Sequence, residues 1–160
     1  MKRFPGLARL PERERFRAWP DASAMTSQHA TEAELAAFLE PLGNGALAAR
    51  SLIHAWQSGG GDVQVGSVAT RLVGHHDGGT FTAATLHARG ARLELCRVIL
   101  ERHGIDGAAW THWSDEFADL AHHGFDPTAK YPSIPLAPLT EAELARLVTG
   151  VRDLARMADA

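Results

Sequence analysis

Cysteine is almost missing from this chain, with Cys96 standing alone. A single thiol excludes an intrachain disulfide, argues against a thiolate zinc site and fits a reducing cytoplasm. Long hydrophobic runs are missing too. No apolar stretch approaches the roughly 20 residues of a membrane span, so no membrane association is expected. The first 20 residues are basic, but Pro5, Pro11 and several charges interrupt them before a secretory-type apolar segment can form. Glu12 and Glu14 likewise argue against an organellar leader. A charge excess of one sign is also lacking. The 16 Lys and Arg are outnumbered by 19 Asp and Glu; residues 1–20 carry +4, so the rest carries −7 of the total −3. Such a body has no general attraction for phosphate backbones, and nucleic acid is not an expected partner.

What is present is a globular composition, 45% hydrophobic and 22% charged, in 160 residues. A chain of this size buries roughly 70% of its unfolded surface, enough for one real core with little left for a second. Residues 1–28 are expected to form a basic peripheral arm, with Met25 an alternative start, and residues 29–160 a single α+β domain. Neither a repeat at 20–50-residue spacing nor a low-complexity segment is evident.

The domain opens at Thr31, where Thr31 and Glu34 have the spacing of a capping box. Leu35, Phe38 and Leu39 then line one face of a short helix that Pro41 and Gly43 end. Asn44 is placed to cap a second helix over residues 46–56, whose apolar positions are Leu47, Leu52 and Trp56, and Gly59-Gly60-Gly61 stops it. After the glycines the period becomes two. Strands are expected around Val63 and Val65, over 70–73 and over 81–87, with a turn at His75-His76-Asp77-Gly78-Gly79 and another at Arg89-Gly90. Residues 92–103 read either as a strand, with Leu93 and Leu95 facing one side and Glu94, Cys96 and Val98 the other, or as a helix ended by Gly104.

Residues 113–123 read as a helix with Trp113, Phe117, Leu120 and Ala121 on one face, and residues 133–136 as a short extended run. The last helix is the clearest element. Thr140 and Glu143 form a second capping box, and Leu144, Leu147, Val148, Val151, Leu154 and Ala155 recur at helical spacing. The pattern predicts an α+β fold: a mainly antiparallel sheet of four to five strands, over roughly 62–100 and 133–136, packed by N-terminal helices and a long C-terminal helix.

The element order, the run Thr70-Arg71-Leu72-Val73, the 81–86 and 92–95 strands, and Lys130-Tyr131-Pro132-Ser133-Ile134-Pro135-Leu136 leading into Thr140-Glu141-Ala142-Glu143-Leu144 resemble the small bacterial YdhG-like domains and related domains of unknown function. The resemblance spans roughly residues 31–158 and lies at the level of pattern. Those domains show a lysine, then a basic residue or histidine before the last strand, then a leucine and the closing helix. Lys130 and Leu136 match, whereas Ser133 stands where the basic residue is expected. What the resemblance implies is a compact α+β fold with an antiparallel sheet, cytoplasmic residence and no settled activity, with Lys130 the matching element of an anion site; some members have been proposed to act like frataxin-type iron carriers.

The residues offer two chemistries. His112, Asp115, Glu116, Asp119, His122 and His123 form the densest histidine and carboxylate group. On one continuous helix, Asp115, Asp119 and His122 or His123 share a side at i, i+4 and i+7 or i+8, and His112, Asp115, Asp119 and His122 are the candidate ligands for an ion such as Fe or Mn. The plainer alternative is a solvated face opposite Trp113, Phe117 and Leu120. His87, with Thr85 and Phe81 on its strand face by parity and Arg71 on a neighbouring strand, is a candidate pocket residue. Arg71, Arg89, Arg92, Arg97 and Arg102 concentrate positive charge in the same region, and Arg71, His87, Arg92 and Lys130 are the candidate ligand-binding set. Solvated edge strands would carry similar charges.

Other signals are weaker. His75-His76-Asp77 fits a turn, and Cys96 a small core residue without a Cys-His signature. Gly43-Asn44-Gly45-Ala46-Leu47-Ala48 fits G-x-G-x-x-A by letter, but a helix and Pro41 precede it where a dinucleotide site requires a strand. No Walker loop or G-x-S-x-G occurs, and HExxH is absent. The expectation is a non-enzymatic small-ligand or protein-binding module, with metal binding or metal-assisted chemistry at 112–123 the alternative. The sheet edges offer a route to a homodimer that the arginine-rich strand would oppose unless acids met it.

Overall fold

The computed structural model describes residues 31–158, so the expected arm and the alternative start at Met25 lie outside the described residues. Helix α1 spans Glu32–Leu39, and its capping box is complete: Glu34 N–H donates to Thr31 Oγ1 at 3.0 Å, and Thr31 N–H donates to Glu34 Oε1 at 2.9 Å. A 3-10 turn over Glu40–Gly45 follows, then α2 over Ala46–Ser58. Asn44 lies inside that turn, and the residue at the start of α2 is Gly45, with no side-chain cap. Leu52 and Trp56 are buried as the periodicity requires, but Leu47 is 72% exposed. It falls off the apolar stripe of α2, which is completed instead by Ala48, Ala49, Ile53 and Ala55.

Five strands form an antiparallel meander in chain order: β1 Asp62–Val65, β2 Ala69–His76, β3 Gly79–His87, β4 Arg92–Leu95 and β5 Ser133–Pro135. The β2–β3 turn is Asp77-Gly78, both at positive φ, the geometry whose twist matches a two-residue hairpin. The fold is α+β, as expected. The segment 92–103 is both of its readings in succession. Strand β4 ends at Leu95, and α3, Arg97–Arg102, replaces the strand expected as far as 100.

Because partners across a ladder point the same way, the register sorts the two sheet faces. Val63, Leu72, Ala84 and Leu95 form one row across four strands, and Leu86, Leu93 and Ile134 another, all buried. The C-terminal helix α5, Glu141–Ala158, lies against this face: a Cβ at Gly74 would meet Ala158 Cβ at 3.2 Å. Helix α2 packs along α5 so closely that a Cβ at Gly59 would stand 2.5 Å from the Arg152 carbonyl oxygen. A β-bulge between β2 and β3 changes the parity, since Leu72 pairs with Ala84 but Val73 pairs with Thr82. The extra residue moves Phe81 onto the helix-covered face and leaves Thr82 on the polar face. Phe81 therefore does not share a face with Thr85 and His87 as simple alternation predicts.

Helix α4, Gly107–Asp115, starts at Asp106, whose carboxylate accepts from Ala109 N–H at 2.9 Å. It stops at Asp115. Phe117 leaves helical geometry, a 3-10 turn covers Ala118–His123, and Gly124 closes it in the left-handed conformation. The continuous helix expected over 113–123 is thus two pieces, and Ala121 is exposed while Trp113, Phe117 and Leu120 are buried. The bend lets Phe117 and Trp113 both reach α5.

Candidate functional site

The second sheet face carries one row that is polar from edge to edge. Gln64, Arg71, Thr85, Glu94 and Ser133 are successive cross-strand partners over all five strands, and His87 and Arg92 pair in the adjacent row. Arg71 donates from Nε and Nη2 to Thr82 Oγ1 at 3.1 and 2.9 Å. His87 Nε2 lies 3.2 Å from Glu94 Oε1, and Arg92 Nη1 reaches Glu94 Oε2 at 3.4 Å and Ser133 Oγ at 3.5 Å. Burial is graded across the face: Gln64 and Val73 are buried, His87 and Glu94 half-buried, and the Arg92 side chain 39% exposed. Of the four residues expected to bind a ligand, Arg71, His87 and Arg92 share this face. Lys130 stands exposed in the loop leading into β5.

Cys96 borders the same face. Its thiol is pushed above the ordinary value, first by burial and then by the Glu94 carboxylate, against smaller opposing effects from the Thr85 hydroxyl and Arg71. A buried, protonated thiol is a poor nucleophile. The other arginines are employed elsewhere: Arg97 pairs with Glu101 at 3.2 Å and donates to the Thr128 carbonyl at 3.1 Å, while Arg89 and Arg102 are exposed at a turn and a helix end.

The expected metal set is not brought together. His112 and Asp115 sit exposed on α4, and the break after Asp115 removes the i, i+4, i+7 alignment with Asp119 and His122. Asp119 is claimed by Arg146, whose Nη1 donates to its Oδ1 at 3.1 Å while Nη2 reaches Oδ2, and this pairing first of all holds the carboxyl below its ordinary value. His122 instead joins His123 and Glu143, whose candidate donor atoms all lie within 4.8 Å of one another. Glu143 was legible only as half of a capping box. That box is present, with Glu143 N–H donating to Thr140 Oγ1 at 3.1 Å and Thr140 N–H to Glu143 Oε1 at 2.9 Å. The Thr140 N–H, and secondarily His123, hold the Glu143 carboxyl below its ordinary range.

Two histidines near the β2–β3 hairpin also meet partners that spacing did not indicate. His75 Nε2 is 2.8 Å from Asp62 Oδ2, tying the ends of β1 and β2. His103 stacks on Phe81 with ring centroids 4.2 Å apart, and its Nδ1 is 3.4 Å from that of His76. Among the described residues no helix is long and apolar enough to cross a membrane. The fold and site define an α+β domain whose antiparallel meander keeps one face for helices and one for polar groups. Compared with protein-family models, curated proteins and solved structures, the chain matches none.

Proposed function

We propose that this chain is a non-enzymatic cytoplasmic binding module that takes a small anionic ligand on the polar face of its sheet. The supporting observation is the register: it gathers Arg71, His87, Arg92 and three hydroxyl side chains, Thr82, Thr85 and Ser133, around the Glu94 carboxylate. A carboxylate or phosphate oxygen is the ligand group that guanidinium forks and hydroxyl donors accommodate best.

Glu94 sets the selectivity of this reading, because a ligand must compete with it for Arg92 and His87. Binding without chemistry is favoured because the buried thiol of Cys96 is held protonated and Ser133 Oγ meets a guanidinium rather than a base.

Thermal unfolding with inorganic phosphate, citrate and a nucleoside monophosphate tests the reading. At a concentration about 100 times its Kd, a bound anion should stabilise the fold by roughly 2.7 kcal/mol. The shift should vanish in Arg92→Ala and shrink in His87→Ala. If none of the three anions raises the midpoint, or the rise survives in Arg92→Ala, the sheet face is not the site.

A further inference from the structure

We infer that His122, His123 and Glu143 form a binding site for one divalent transition-metal ion of zinc type. This site is separate from the sheet face and does not rest on the anion reading. His123 Nε2 lies 3.1 Å from Glu143 Oε1, and His122 Nε2 lies 3.4 Å from Glu143 Oε2. A tetrahedral ion with ligands at about 2.0–2.1 Å places its donor atoms roughly 3.3 Å apart. Each imidazole nitrogen stands about that far from one oxygen of the Glu143 carboxylate, and one donor atom from each of the three residues lies within 4.8 Å of the others. Two imidazoles and one carboxylate are a ligand set that such ions accept, with the remaining coordination left to water.

The outer contacts point the same way. His122 Nδ1 is within short hydrogen-bonding range of the Asp119 carbonyl oxygen, a bond that only a protonated Nδ1 can make. With Nδ1 engaged by that carbonyl, the ring turns Nε2 toward the Glu143 carboxylate, where a cation would be met by both groups. Metal-bound histidines commonly have this arrangement, in which a backbone carbonyl holds one ring nitrogen and frees the other. Asp119 is fixed in turn, because Arg146 grips its carboxylate and also donates to the Glu116 carbonyl at 3.0 Å.

Two opposing effects are met within the site. A cation near the N-terminus of α5 faces the positive end of the helix, and the acidic first turn of Glu141 and Glu143 counters it. Access is open on one side, where the His122 side chain is 58% exposed, while His123 and Glu143 are largely enclosed. The other paired imidazoles, His76 and His103, lack this design: His103 is occupied in stacking on Phe81, and the nearest carboxylate, Asp77, is an exposed turn residue 3.8 Å from His76.

The full chain, stripped with a chelator, is titrated with Zn2+ near neutral pH against a chromophoric competitor, and Co2+ is added in parallel for its visible absorption. One ion per chain is expected. His122→Ala and His123→Ala should each weaken binding by at least about tenfold, and both should abolish the Co2+ spectrum. Glu143→Gln should weaken it similarly while retaining the side-chain acceptor of the capping box, which separates lost coordination from lost folding. His112→Ala, Asp115→Ala and His76→Ala should bind as the parent does. Absence of a one-to-one Zn2+ complex overturns the site. A complex unchanged in His122→Ala and Glu143→Gln overturns it equally.

Discussion

The ring of Phe117 occupies the space that a side chain at residue 150 would need: a Cβ built on Gly150 lies 2.3 Å from Phe117 Cζ. The same turn of α5 is held by Trp113, whose indole N–H donates to the Gly150 carbonyl at 2.8 Å. Gly150→Ala sets two effects against each other. Alanine gains about 1 kcal/mol of helix propensity, whereas forcing a methyl against a buried ring costs about 1–3 kcal/mol. Since Phe117 is buried and packed against Trp113 with ring centroids 4.8 Å apart, overpacking should win, and the urea midpoint should fall with its slope unchanged. A rise would mean that the ring has room to move.

Trp56 presents a second aromatic dependence. Its indole N–H donates to the Val73 carbonyl at 2.9 Å in the buried core, and a Cβ at Gly61 would lie 2.1 Å from the same nitrogen. Trp56→Phe removes that buried donor and leaves a void, for an expected loss of about 2–4 kcal/mol. Circular dichroism during chemical unfolding would measure it. Leu47→Ala, on the exposed side of the same helix, should change stability by no more than about 0.5 kcal/mol. Equal losses at the two positions would contradict the packing described.

Cys96 should make the protein sensitive to alkali. Its folded-state thiol is raised above the ordinary 9.0, chiefly by burial. Thiol burial therefore contributes its full stability below that ordinary value. As pH rises through 9.0 the unfolded chain ionises first, and stability falls until the folded thiol also ionises. The alkaline decline of the unfolding midpoint should be shallower in Cys96→Ala, and native Cys96 should react with a disulfide reagent far more slowly than the unfolded chain. Parallel pH profiles for the two proteins would remove the thiol from this account.

Local signals transferred well from sequence to structure. Both capping boxes, the Asp77-Gly78 turn and the stripe of α5 depend on neighbours within a few residues, and all are present. Errors arose where one residue changed the phase. The bulge between β2 and β3 turned Phe81 to the core, and the end of α4 at Asp115 broke the expected line of Asp115, Asp119 and His122 or His123. Periodicity assumes an unbroken element, so a single insertion or kink reassigns every side chain beyond it.

The sequence by itself determined the class of fold and the elements that cap, turn and pack through short-range chemistry. Only the tertiary structure decided that Arg71, His87 and Arg92 share a face, because strand register is set by which rows are buried under α5. It alone also joined His122 and His123 to Glu143, 20 residues further along the chain. No spacing rule connects a 3-10 turn to the first turn of a distant helix; their meeting follows from how the core closes between them.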